Sequence, residues 1–117
     1  MKADMLTVYG IKQCDTCRKA LKWLSGQGIE HQFHDFRADG LRADLLQSWL
    51  DSSFSDKLVN RRSTTWRQLS DEQRQFEGDA LLELLLQHPT LIKRPVFVSN
   101  DIVAIGFDPK ELRGFNV

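Results

Sequence analysis

The tetrad Cys14-Asp15-Thr16-Cys17 follows the apolar run Met5-Leu6-Thr7-Val8-Tyr9 and opens a helical pattern; these are the chain's only two cysteines. Two thiols three residues apart at a helix start are suited to redox chemistry. A helix N-terminus carries partial positive charge and unpaired N–H groups, and both favour the thiolate, the form that attacks disulfides and oxidants. Position separates the two sulfurs. Cys17 falls on the apolar stripe of the helix and is expected to face inward, whereas Cys14 precedes the first turn, within reach of solvent. Cys14 is therefore the expected nucleophile, with Lys12 and Arg18 as nearby cations that favour its anion further. For Cys17 the competing reading is a small core hydrophobe.

His31 and His34 follow the cysteines and raise the question of zinc. Only two residues separate them, fewer than in common zinc fingers, and Cys17 runs into a helix rather than a knuckle turn. No metal is expected, and the histidines are read as exposed strand residues. The 117 residues carry 16 Lys+Arg and 16 Asp+Glu, a net charge of zero. That length makes one domain whose core needs no disulfide staples, and two cysteines suit a catalytic pair better than a disulfide framework. Zero net charge supplies no basic field for nucleic acid. Met1-Lys2-Ala3-Asp4 lacks an apolar export segment, and the stretch from Ala80 to Leu86 is broken by Glu83, far short of a membrane span. The expectation is a cytoplasmic monomer with no bound cofactor and no nucleic-acid or membrane partner.

The elements that must position the cysteines are legible. Leu6 to Tyr9 reads as a short buried strand, and the following helix keeps Cys17, Ala20, Leu21 and Leu24 on one stripe. Gly26 and Gly28 supply its stop, and Ile29 to Phe36 reads as a second strand, completing a parallel βαβ unit. The middle is helical: Leu41, Leu45, Leu46, Trp49 and Leu50 form one amphipathic stretch. Ser70-Asp71-Glu72-Gln73 is a capping box opening a second, short one. Leu81, Leu82, Leu84 and Leu85 form a third, ended at His88 by Pro89. Asn60 to Arg67 is polar, basic and without a period, a loop or a solvated face. Val96 to Val98 and Ile102 to Ile105, separated by Ser99-Asn100-Asp101, predict a hairpin. Asp108-Pro109-Lys110-Glu111 starts a last helix with Leu112 and Phe115 on its apolar side.

A βαβ unit, a helical insert and ββα, with cysteines after the first strand, is the thioredoxin order of elements. The expected fold is thus α/β and thioredoxin-like, with its core at about residues 5–38 and 91–117 and the insert at about 39–90. In that fold a cis-proline precedes the first hairpin strand beside the N-terminal cysteine, where Arg94-Pro95 stands here. A cis bond there would deliver Arg94 to the site as a bidentate anion binder; the alternative is an ordinary loop arginine. Arg62 is a second candidate of the same kind. Trp66 with Arg67 is either a ligand platform or an anchor of its loop to the core.

Tyr9-Gly10-Ile11-Lys12, Cys14-Asp15-Thr16, Asn60, Arg62, Thr64-Thr65-Trp66-Arg67, Ile92-Lys93-Arg94-Pro95 and Gly106-Phe107 together resemble the arsenate reductase (ArsC)/Spx family, above all its YffB-type members. The resemblance spans roughly Leu6 to Phe115. It implies a glutathione-dependent thiol reductase, with glutathione as co-substrate, Cys14 as nucleophile and Arg94 as the arginine before the cis-proline; Cys17 need not be essential. Two departures count against arsenate itself. The His-Asn-Pro lead-in of arsenate reductases is replaced by Gly10-Ile11-Lys12-Gln13. Of their three oxyanion-binding arginines, the first corresponds to Asn60 and the last falls near Phe107 or Asp108. Each lost charge-assisted donor costs about 1.5–3 kcal/mol. The resemblance also implies an alternative, an Spx-type redox-sensing regulator that binds an RNA polymerase subunit without turnover.

Overall fold

The computed structural model describes residues 5–110 and Leu112. Four strands, β1 (Leu6–Gly10), β2 (His31–Asp35), β3 (Val96–Ser99) and β4 (Asp101–Ile105), form one mixed sheet in the order β2-β1-β3-β4. β1 runs parallel to β2, as the βαβ reading requires, and antiparallel to β3. β3 and β4 make the expected hairpin, turning at Asn100 with φ 67°, a left-handed conformation that asparagine tolerates.

The crossover is helix α1 (Asp15–Gly26), whose Cys17, Ala20 and Leu24 are buried. Its stop is a Schellman motif: the Ile29 N–H donates to the Leu24 carbonyl at 3.0 Å and the Gly28 N–H to Ser25 at 3.2 Å. Gly28 takes φ 71°, and Leu24 and Ile29 are both buried in the core cluster. Because Ile29 closes this motif, β2 begins at His31, two residues later than expected. The core cluster collects Leu6, Val8, Ala20, Leu24, Ile29, Phe97, Ala104 and Leu112. The Lys110 N–H donates to Asp108 Oδ1 at 3.0 Å, the capping contact expected of a helix start; Leu112 of its expected apolar side is buried in the core, and Phe115 lies outside the described residues.

The chain divides into two compact units, Leu41–Lys93 and the sheet-bearing remainder. The first holds α2 (Ala43–Leu50), α3 (Ser55–Leu58), α4 (Thr64–Gln68) and α5 (Gly78–Gln87). α2 packs on α3 and α5 around Leu46, Trp49, Leu58, Leu84 and Leu85. The last residues of this unit pair with the end of α3 and the segment after it: the Lys93 N–H donates to the Leu58 carbonyl at 2.8 Å and the Asn60 N–H to the Leu91 carbonyl at 2.7 Å. The capping box at Ser70 forms reciprocally with Gln73, at 2.9 and 3.1 Å, yet opens only a three-residue 3-10 turn.

Two short helices, α3 and α4, escape the sequence reading. α4 occupies much of the segment read as a loop or solvated face. The Ser63 hydroxyl accepts the Trp66 N–H at its start, and the Arg74 guanidinium donates to the Trp66 and Arg67 carbonyls at 3.2 and 2.9 Å at its end. Trp66 is half-buried, and the cations over its ring are Arg61 and Arg74 at 5.7 and 5.9 Å, not Arg67.

Gly28→Ala is expected to cost about 1 kcal/mol, since alanine at this φ is strained, lowering the melting temperature by roughly 4 °C in a thermal melt. An unchanged melting temperature would mean that the α1 terminus does not depend on the left-handed residue.

Candidate functional site

Cys14 is the N-cap of α1, in extended conformation, and its carbonyl accepts the first helical bond, from the Arg18 N–H at 3.0 Å. Three residues on, Cys17 is 1 % exposed while Cys14 is half-buried: Cys17 lies on the inward stripe of α1, and Cys14, an N-cap with extended backbone, stands outside the helix where its sulfur reaches the surface. Burial pushes the Cys17 thiol up to about 12, beyond what the Ile11 backbone offsets, and the neighbouring Cys14 sulfur adds to the rise. Burial also works against the Cys14 anion. There it is outweighed by the Cys17 backbone N–H and thiol and then by the Arg94 guanidinium, which together hold Cys14 below the usual thiol range. The pair is thus electrically divided.

Arg94 stands where the fold argument puts it. The Arg94–Pro95 peptide is cis, and the register Tyr9↔Val96 carries Pro95 to the level of Gly10, where the chain leaves β1 for Cys14. The Pro95 carbonyl is held by the Gly106 N–H at 2.8 Å. The cation that bears on Cys14 is therefore Arg94, not the two expected from sequence neighbourhood. Arg18 is exposed and turned to the Lys12 carbonyl at 3.2 Å and to Asp15 at 3.4 Å, and Lys12 is also exposed. Arg62 lies in the helical unit, exposed, with its N–H on Asn60 Oδ1 at 3.0 Å. His31 and His34 are half-buried rather than exposed, each with a ring nitrogen on a main-chain carbonyl, at 2.8 and 2.6 Å. Among the described residues no three His, Cys, Asp or Glu side chains converge on a metal position, and no helix is long and apolar enough to cross a membrane.

Two residues shape the site in ways the sequence reading does not give. A Cβ on Gly10 would stand 2.5 Å from Cys17 Sγ, so β1 must end in a residue without one for the sulfur to pack there. Asp35 is the one buried polar or charged residue among those described. Its Oδ2 accepts the Lys12 N–H at 2.9 Å, and its Oδ1 accepts those of Arg37 and Ala38 at 2.7 and 3.1 Å. A side chain at the end of β2 thereby ties down the turn that leads into Cys14. A glycine ending a strand is a legible hint of close approach; nothing in the sequence marks Asp35.

The sheet, the cysteine at the start of its crossover helix and the cis-proline before β3 define a thioredoxin-like α/β protein carrying a helical insert. The chain belongs to the ArsC family, whose sequence profile matches residues 9–115. It is 47% identical to an uncharacterized protein of Haemophilus influenzae, over 92% of this chain and 95% of that one. It is 34% identical to the regulatory protein MgsR of Bacillus subtilis, over 93% and 88%. Among solved structures it is similar to a YffB protein, with a TM-score of 0.87 and 32% identity over 97% of this chain and all of that one.

Burial raises the Asp35 carboxyl, but the Lys12, Ala38 and Arg37 backbone donors and the Arg37 charge outweigh it and hold it below its usual range. The folded value lies below the unfolded one, so this stability is complete above about pH 4 and is lost as pH falls through the folded pKa. Asp35→Ala is expected to cost about 1.5–3 kcal/mol at pH 7, the range for hydrogen bonds to a charged group. In urea melts from pH 7 to 2 the gap between variant and wild type should narrow in acid; a gap independent of pH would deny the carboxylate this role.

Proposed function

We propose that the protein is a glutathione-dependent thiol-disulfide reductase with Cys14 as its nucleophile. The observation that carries this reading is an accessible Cys14 sulfur favoured as thiolate by the start of α1 and by Arg94 beside a cis-proline. The Cys14 thiolate attacks one sulfur of a disulfide, forms a mixed disulfide and expels the other sulfur as a thiolate. A glutathione thiolate then attacks the substrate sulfur of that bond. Cys14 leaves as thiolate, and the substrate is left joined to glutathione for a second exchange. Glutathione suits this step better than Cys17, whose sulfur is buried and whose thiol is pushed up by that burial. Arg94 offers a planar fork for a carboxylate of the incoming thiol.

Similarity to the regulatory protein MgsR favours a second reading, a redox-responsive regulator that works through a protein partner such as an RNA polymerase subunit without turnover. An assay with glutathione, glutathione reductase and a small disulfide separates the two. The reductase predicts turnover that Cys14→Ser abolishes and Cys17→Ala largely retains. No turnover, with redox-dependent capture of a defined partner, would favour the regulator.

Arg94→Ala should raise the Cys14 pKa, read from iodoacetamide alkylation rates against pH, and weaken thiol-substrate affinity by about 1.5–3 kcal/mol. Lysine should restore the pKa better than the affinity, because it lacks the two-pronged donor. Wild-type values for both in Arg94→Ala would remove this arginine from the site.

A further inference from the structure

Asp35 meets the cysteine motif through the main chain. The register Gly10↔Asp35 sets it beside the point where the chain leaves β1, and the Phe36 N–H donates to the Gly10 carbonyl there at 2.8 Å. One turn, Ile11 to Cys14, separates that point from α1, and the Cys14 N–H closes it on the Ile11 carbonyl at 3.1 Å. Both main-chain groups of Lys12, inside the turn, are held from outside it. The N–H donates to Asp35 Oδ2 at 2.9 Å, and the carbonyl accepts Arg18 Nε at 3.2 Å. The two braces are unequal. Arg18 is exposed, where water competes for its donors, whereas Asp35 is buried and its bond is charge-assisted. The carboxylate also divides its oxygens: Oδ1 accepts the Arg37 and Ala38 N–H groups of its own turn, and Oδ2 reaches across to Lys12.

We infer, on the reading of Cys14 as nucleophile, that Asp35 is a positioning residue for it, acting through the Lys12 N–H to hold the turn that sets the sulfur at the start of α1. A thiolate gains from N–H donors only while it stands within reach and in line with them, so a turn free to shift forfeits part of that gain. A carboxylate also acts at a distance with the opposite sign, because its charge disfavours a second anion. Removal of the charge alone would lower the Cys14 pKa, whereas release of the turn raises it. The sign separates the two roles, and a residue that served stability alone would move neither.

Asp35→Asn in the full chain is the test, because an amide has a single acceptor oxygen. That oxygen keeps the Arg37 and Ala38 donors when the amide nitrogen stands in place of Oδ2 and faces the Lys12 N–H. The turn after β2 then survives and the brace on Lys12 is lost. The Cys14 pKa, read from iodoacetamide alkylation rates against pH with the modified residue located by mass spectrometry, should rise by roughly half to one pH unit. In a Lys12→Pro background residue 12 has no N–H to hold, and proline suits this turn position; there Asp35→Asn should no longer raise the pKa. A fall or no change in Asp35→Asn would overturn the proposal, as would the same rise in the Lys12→Pro background. Should Lys12→Pro fail to fold, the sign in Asp35→Asn alone decides. Alkylation needs no glutathione, so an absence of turnover would defeat the reductase and leave this result standing.

Discussion

The contact between Cys17 Sγ and the Cβ-less face of Gly10 is the constraint on which the site depends. α1 can lie this close to the end of β1 because no side chain intervenes, and Cys17 can be buried only because α1 lies there. With Cys17 fixed, Cys14 emerges three residues earlier at the N-cap, where the extended chain enters α1. The cysteine that packs thus positions the cysteine that meets solvent. The register Tyr9↔Val96 brings the Arg94–Pro95 peptide to the same strand end from the other side. The end of β1 and the start of α1, consecutive in the chain, thus meet a third segment distant in sequence.

Opposed electrostatics follow from this packing. Both sulfurs are desolvated to some degree, which alone would raise both. The difference lies in what else each one faces. Cys14 has helix N-terminal donors and a guanidinium, whereas Cys17 has the core and the Cys14 sulfur. Stabilising charge on one sulfur works against charge on the other, since two anions in contact repel. A CxxC pair in this setting holds one thiolate at a time.

What could be read from the sequence had a period or a punctuating residue behind it. The α1 stripe, the hairpin at Asn100 and the end of α5 before Pro89 all fall in that group. α4 escaped because five residues carry no resolvable period; its stability comes from the Ser63 hydroxyl and from Arg74, seven and eight residues beyond the carbonyls it caps. Cys17 inside followed from the helical stripe, and Cys14 outside from its place before the first turn. Arg94 at the site followed from the order of elements and its proline; that it, rather than the sequence neighbours Lys12 and Arg18, is the cation favouring the Cys14 anion did not, because the sheet brings it in from 80 positions away. Lys12 and Arg18 are near Cys14 in the chain, yet both line a recess that Cys14 does not.

Asp35 shows why such a site resists a linear reading. A carboxylate is among the least suited groups for burial, and its presence at a strand end would ordinarily suggest solvent. It is tolerated because three main-chain N–H groups converge on it, two from its own turn and one from the loop before Cys14. Those donors would otherwise need water, so the charge and the turns satisfy each other. The bond to Lys12 spans 23 residues and exists only once β2 has docked beside β1. Strand pairing comes first, the carboxylate then fastens the Lys12 turn, and that turn delivers Cys14 to the start of α1. The order of these dependencies is that of the sheet and not of the chain. A motif that is local in sequence is therefore held by an interaction that is not.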